Sequence, residues 1–226
     1  MRRGRKERKR RKKMQMFNKR LLKRYPWLMP RNAWTGKVIK DYDYLWTEYD
    51  CVPDGWRKAF GMMMLEEYDK ELRKYNHVKD YHIVQVKEKY GSLHWYDNGH
   101  YGDMGEINWK YGHISENICI MCGKEAPMID DGWMSPWCCD CWVNNVRRIE
   151  QLYHPDSEPT PIETFINEYE GYICSKPNED GTWLPNSFTI RSFSTDGDKE
   201  TTYDISDTVN KIRDRQKKWI KYKGKN

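Results

Sequence analysis

The sequence predicts an α+β protein: a small mixed domain, then a short β-rich region and a C-terminal helix. Three observations carry this. Apolar residues recur at helical spacing near residues 14–21, 56–75 and 142–153. They alternate instead, between turn residues, over 82–96 and again in the last third of the chain. Five of the seven cysteines fall between residues 119 and 141, which marks a compact module mid-chain.

The 226 residues suffice for one large domain or two small ones. Hydrophobic content is only 38 %, but 11 Trp and 16 Tyr bury much area per residue and allow a core. No run approaches the roughly 20 apolar residues that span a bilayer. The basic N-terminus has no apolar run behind it and lacks the Ser content of a transit peptide. These features predict a soluble, intracellular protein with no membrane partner.

In chain order, residues 2–13 (RRGRKERKRRKK) bury nothing and are expected to be disordered when free. Met14, Phe17 and Leu21 then recur at spacings of three and four. They predict a short amphipathic helix through Arg24, docked by that stripe and stopped by Pro26. Asp54-Gly55 reads as a turn before a helix from about Trp56 to Tyr75, striped by Trp56, Phe60, Met63, Met64 and Leu72, with Met62-Met63-Met64 as core filling. His82, Val84 and Val86 alternate with Ile83, Gln85 and Lys87. With Leu93 to Tyr96 they predict a β-hairpin turning at Lys89-Tyr90-Gly91-Ser92 and ended by Asp97-Asn98-Gly99. The glycine-rich residues 98–112 read as an irregular connection, with a short helix from about Glu106 as an option.

Trp142 to Tyr153 reads as a helix with Val143, Val146, Ile149 and Leu152 on one stripe. Three prolines make residues 154–162 a linker. Glu170 to Ser175, Ser187 to Phe193 and Thr201 to Ile205 read as strands, joined by turns at Asn178-Glu179-Asp180-Gly181 and Asp196-Gly197-Asp198. Ser206 can cap a last helix to about Tyr222. The expected organisation is a basic leader and short helix over 1–24, an α+β core over 25–155, and a β-rich extension with a basic helix over 156–226.

Cys119-Ile-Met-Cys122-Gly123 is a knuckle: a tight turn aims both sulfurs at one point, and Gly123 permits the left-handed backbone that closes it. Fifteen residues later Cys138 and Cys141 repeat the spacing at the start of the expected 142–153 helix, whose N-terminus favours thiolates. Knuckle, loop and helix-borne pair, in that order, resemble a treble-clef zinc finger. The ligands expected for one structural Zn2+ are Cys119, Cys122, Cys138 and Cys141, since four thiolates close a tetrahedral shell and leave no place for a catalytic water. An iron–sulfur cluster is the rival with the same ligands. Cys139 is expected to point away, Cys51 and Cys174 to be ordinary buried thiols, and Trp133, Trp137 and Trp142 to shield the metal and build a small core.

The net charge of +6 conceals segregation. Residues 1–24 hold 14 Lys/Arg and one acid, residues 211–226 eight and one, and the body between them carries 32 acids against 18 bases. Two basic ends on an acidic body point to a polyanion partner, nucleic acid above all. The candidate phosphate-binding residues are Arg2, Arg3, Arg5, Lys6, Arg8, Lys9, Arg10, Arg11, Lys12, Lys13, Lys19, Arg20, Lys23 and Arg24, with Lys217, Lys218 and Lys221 at the other end.

Asp54-Gly55-Trp56, then Gln85-Val86-Lys87-Glu88-Lys89-Tyr90-Gly91-Ser92-Leu93, then the Cys119 knuckle and Gly132-Trp133 before Cys138-x-x-Cys141, resemble a family of small, uncharacterised bacteriophage proteins over about residues 17–142. Ser92 stands where that family usually has Gly, and Cys141 where it often has His. The resemblance implies phage origin, hence the cytoplasm of a host, and a zinc module, but no activity.

The first functional expectation is a non-enzymatic protein that binds RNA or DNA, or a host nucleoprotein complex, through its basic ends. The second is a counter-defence or host-takeover inhibitor that meets a basic host protein through the acidic body. The third is a zinc-braced nuclease using His113, His154, Asp130 and Asp131. No Asp-His pair flanks the zinc site as such a nuclease needs, and there is no P-loop, GxSxG or HExxH. His77, His82, His94 and His100 lack partners at ligand spacing and read as surface or packing residues.

Overall fold

The computed structural model describes residues 2–32, 34–99, 101–192 and 197–223, the side chains at 2–4 and 220–223 aside. His100, Phe193 and Asp196 fall outside the described residues. The architecture is α+β, with helices and small antiparallel two-stranded sheets. By contacts the chain divides into two compact units. One gathers Met1–Val52, Gly61–Glu88 and Leu93–Trp109; the other gathers Pro53–Phe60, Lys89–Ser92 and Lys110–Asn226.

The first helix, α1, runs unbroken from Arg2 to Arg24, so the leader expected to be disordered is helical. Lys, Arg, Met, Gln and Leu are all good helix formers, and propensity here outweighs like-charge repulsion. Its docking face also differs from the expected stripe. Asn18, Leu21 and Leu22 are buried, while Met14 and Phe17 remain 40 % and 50 % exposed. Gln15 Nε2 donates to Asp43 O and Asn18 Nδ2 to Tyr44 O, at 2.9 and 3.0 Å, so two amides, together with buried Leu21 and Leu22, tether this helix. Pro26 opens a single 3₁₀ turn, Pro26–Leu28.

A helical run follows at α2 (Asp54–Trp56), passes through a π-helical turn (Arg57–Gly61) and continues as α3 (Met62–Lys74). Trp56, Phe60, Met64 and Leu72 are buried, together with Leu65 and Tyr68, whereas Met63 is half-buried. Strands β1 (Ile83–Lys89) and β2 (Ser92–Asp97) form the expected hairpin. Tyr90 and Gly91 both have positive φ in its turn, which glycine accepts freely and tyrosine does not. In the first unit Trp27, Tyr68, Tyr81 and Trp95 form an aromatic core with ring centroids 5.0–6.4 Å apart. Its polar tips are satisfied: Trp95 Nε1 donates to Tyr81 Oη at 2.9 Å, and Tyr81 Oη donates to Asp97 at 2.9 Å. Burial pushes the Tyr68 and Tyr81 phenols well up.

Residues 98–112 are not wholly irregular, because α4 spans Met104–Ser115 and buries Met104, Ile107, Tyr111 and Ile114 at helical spacing. In the second unit β3 (Met128–Asp130) pairs antiparallel with β4 (Met134–Pro136), and α5 (Cys139–Tyr153) follows. Only the first part of the stripe expected on α5 is covered: Val143 is buried, but Ile149 and Leu152 are 42 % and 70 % exposed. Helix α6 (Ile162–Tyr172) takes up residues 170–172 of the expected Glu170–Ser175 strand, of which a single bridge, Ile129 to Ile173, remains. Its Phe165 and Tyr169 complete a small core with Ile129, Trp142 and Val143. Strands β5 (Ser187–Ser192) and β6 (Lys199–Asp204) pair antiparallel, and α7 runs from Ser206 to Lys223. Asp204, rather than Ser206, supplies the acceptor at the start of α7: its Oδ1 takes the Ser206 N–H at 2.8 Å and the Ser206 hydroxyl at 2.6 Å. Among the described residues, no helix is long and apolar enough to cross a membrane.

Candidate metal centre

Four sulfurs converge in the second unit. The Sγ atoms of Cys119, Cys122, Cys138 and Cys141 all lie within 4.8 Å of one another, and those of Cys122 and Cys138 are 3.6 Å apart. Sulfurs about 2.3 Å from a common tetrahedral ion stand about 3.8 Å from each other, so this set can hold one metal ion. None of the four is tied up in a disulfide.

Local backbone chemistry fixes each ligand. Gly123, at φ +81°, closes the first turn, with its N–H donating to Cys119 O at 3.0 Å and the Cys119 N–H to Lys124 O at 2.8 Å. The β3–β4 hairpin delivers the second pair. Cys138 sits at the N-cap of α5, and its carbonyl takes the Cys141 and Trp142 N–H groups at 3.0 Å each. Knuckle, hairpin and first helical turn thus follow in the treble-clef order. Crowding makes the thiols unequal. Hydrogen bonds from Cys119, then Cys138, push Cys122 down to about 2. Hydrogen bonds with Cys119 and Cys122 push Cys138 up, and burial pushes Cys141 up to about 12. A bound cation overrides this inequality by attracting every thiolate at once.

Residues with no assigned part in the site brace it. The Gly55 N–H donates to Ile120 O at 2.9 Å, Trp56 Nε1 to Ile118 O at 2.8 Å, and Lys58 Nζ to Cys122 O at 3.0 Å. From α7, Gln216 Nε2 donates to Gly123 O at 2.8 Å. One residue past Lys124, Glu125 accepts from the Trp183 and Leu184 N–H groups at 3.1 and 3.3 Å and from Arg213 Nε at 2.8 Å. Lys58 also lies over the Trp219 ring, 4.3 Å from its centroid. Asp54-Gly55-Trp56 stood out in the sequence, but nothing there signalled that it seats the knuckle; Glu125 and Gln216 gave no signal at all.

The remaining candidates are placed as follows. Cys139 points away from the cluster, into the core of Ile129, Trp142 and Phe165. Cys51 and Cys174, expected to be buried, are exposed. Trp142 is buried and donates its indole N–H to Asp131 at 2.8 Å, Trp137 packs at the edge of that core, and Trp133 is 61 % exposed rather than shielding the metal. A cavity of about 430 Å³ opens beside Cys141, lined by Met121, Trp137, Asn144, Asn145 and Arg148. His113 lies 3.7 Å from Glu116 and beside the Phe188 ring; His154 is the exposed C-cap of α5. His77 stacks on Tyr101 and His94 on Tyr96. Among the described residues, the four cysteines form the group of metal-ligating side chains.

On α1, Arg5, Lys6, Arg8, Lys9, Arg10, Arg11, Lys12, Lys13, Lys19, Arg20, Lys23 and Arg24 are all exposed, as are Lys217 and Lys218 on α7. Arg24 pairs with Glu66 at 3.0 Å, and Lys19 lies over the Tyr44 ring. The side chains of Arg2, Arg3 and Lys221 lie outside the described residues. No family model, curated protein or solved structure matches the chain.

Proposed function

We propose that this chain is a non-enzymatic, zinc-braced protein that binds nucleic acid, or a nucleoprotein assembly, through its basic ends, and that it acts in the cytoplasm of a phage-infected host. One observation carries the reading: nine consecutive residues of α1, 5–13, are exposed and eight of them are cationic. Phosphate neutralised by such residues releases condensed counterions, which drives association without base contacts. The metal is assigned as Zn2+ because four thiolates at single-ion spacing suit a tetrahedral ion, and a cluster of several irons needs its ligands spread wider. With four protein ligands the ion is structural, and the reading is one of binding rather than catalysis.

The test removes residues 1–13, which deletes ten bases and Glu7, and leaves Asn18, Leu21 and Leu22 to hold the rest of α1. If about half of the 14 bases of residues 1–24 meet phosphate, log K against log[salt] has a slope near about −6 on duplex DNA or about −5 on a single strand. Truncation should collapse binding while the metal stays. Equal affinity of the two proteins at about 0.1 M salt refutes the reading. It would leave the acidic body, facing a basic host protein, as the functional surface.

A further inference from the structure

We infer that residues 5–13 of α1 enter the major groove of B-form duplex DNA as a helix. The inference rests on the proposed nucleic-acid binding and narrows it to one partner and one geometry.

Successive residues turn by about 100° around a helix. With Arg5 at zero, Lys9, Lys13, Lys6 and Arg10 fall at about 40°, 80°, 100° and 140°, and Arg11, Arg8 and Lys12 at about 240°, 300° and 340°. The one acid, Glu7, falls at about 200° and is held by Arg10 at 3.3 Å. The charge therefore surrounds the helix. A flat anionic surface engages one side of a rod and leaves the rest of these cations facing water. A groove walled by phosphate on both sides engages nearly all of them.

Size selects the groove. A helix with its side chains is about 10–12 Å across. The B-DNA major groove is about 12 Å wide and the minor groove about 6 Å. The A-form major groove of duplex RNA is deep and narrow. A single strand presents one line of phosphate and gains little from a rigid rod. An interfacial membrane helix needs an apolar face, and residues 5–13 contain no apolar side chain. Protein packing would need one too. Finally, Arg5/Lys9, Lys6/Arg10, Arg8/Lys12 and Lys9/Lys13 are like charges four residues apart, which oppose the helix until phosphate neutralises them. Groove binding and helix order should therefore strengthen each other.

Two substitutions in the full chain separate helix from charge. Glu7→Gln and Glu7→Pro change the charge identically, but proline at the sixth residue of α1 removes an intrahelical N–H and clashes with the preceding turn. Dissociation constants are measured for a mixed-sequence DNA duplex, one of its strands, the RNA duplex of the same sequence and anionic vesicles. The expected result is that Glu7→Gln binds the DNA duplex at least as tightly as wild type and Glu7→Pro about tenfold more weakly. The two variants should be alike on the single strand. Wild type should also protect guanine N7, which lines the major groove, from methylation by dimethyl sulfate, a readout that decides even if Glu7→Pro misfolds. Duplex binding without N7 protection, equal duplex affinity of two folded variants, or binding to RNA duplex or vesicles as tight as to DNA overturns the groove inference and leaves polyanion binding standing. Binding to none of the four probes overturns both.

Discussion

Gly55 lies so close to the turn that carries Cys119 and Cys122 that a methyl group on its Cα would stand 2.1 Å from the Cys119 carbonyl oxygen. The Ile120 oxygen and the Gly123 nitrogen would be 2.7 and 2.8 Å away, and all three are backbone atoms that cannot swing aside. Gly55→Ala is therefore expected to prise the knuckle from its seat at a cost of about 3 kcal/mol, the upper range for overpacking. Gly105→Ala, on α4 with nothing within 4 Å of the added methyl, should be neutral or stabilise by up to about 1 kcal/mol. Thermal melts with metal content read on the same samples decide it; equal melting temperatures would contradict the seat.

The four cysteines should act as one unit. Elemental analysis is expected to find one zinc per chain, and Ser at position 119, 122, 138 or 141 should each lower Tm by on the order of 10 °C, because binding energy of the ion is folding energy. Cys139→Ser should be tolerated, since that thiol packs in the core of Trp142 and Phe165. Iron in place of zinc, or a larger effect at 139 than at 138, would remove the assignment.

Glu125 ties the knuckle to the C-terminal third by accepting from Trp183, Leu184 and Arg213. Both partners of its ion pair are largely covered, at 17 % and 22 % side-chain exposure. Glu125→Ala leaves two backbone N–H groups and a guanidinium without their acceptor and should cost about 3 kcal/mol in denaturant unfolding. Glu125→Ala with Arg213→Met should recover part of that. A double variant no better than the single one would mean that the charge pair is not the source of the effect.

Acid should loosen the start of α7. Asp204 accepts from the Ser206 hydroxyl and N–H, and these bonds hold its carboxyl below the usual range. A lowered folded pKa means that the stabilisation is present above the ordinary carboxylate value of about 3.9 and is lost as pH falls through the lowered one. An NMR titration of the Asp204 carboxyl should show a midpoint below that of an exposed aspartate, and Ser206→Ala should raise it. A midpoint unaffected by Ser206→Ala would show that the bond does not form in solution.

The four-cysteine cluster was legible because its information is local: two short spacings set the pairs, and one glycine closes the first turn. What braces it was not. Gly55 and Ile120, Lys58 and Cys122, and Gly123 and Gln216 meet only after the chain has folded back on itself, and no spacing encodes that. Helix α6 was legible in principle, since Phe165, Ile166 and Tyr169 keep helical spacing. Pro161 read as a breaker, yet it stands at the N-cap, where its missing N–H costs nothing. Residues 2–13 misled in the opposite sense: charge density pointed to disorder, while the residue types themselves favour helix.

The clamp between Gln216 and Gly123 joins residues 93 apart in the chain. A ribosome adds about 5–20 residues each second, so about 5–20 s separate the synthesis of the knuckle from that of the side chain that closes over it. All four thiols exist by residue 141, long before α7 does. The order of synthesis therefore completes the four-sulfur set while the Gly123 carbonyl still faces water, and the Gln216 amide reaches that carbonyl only afterwards.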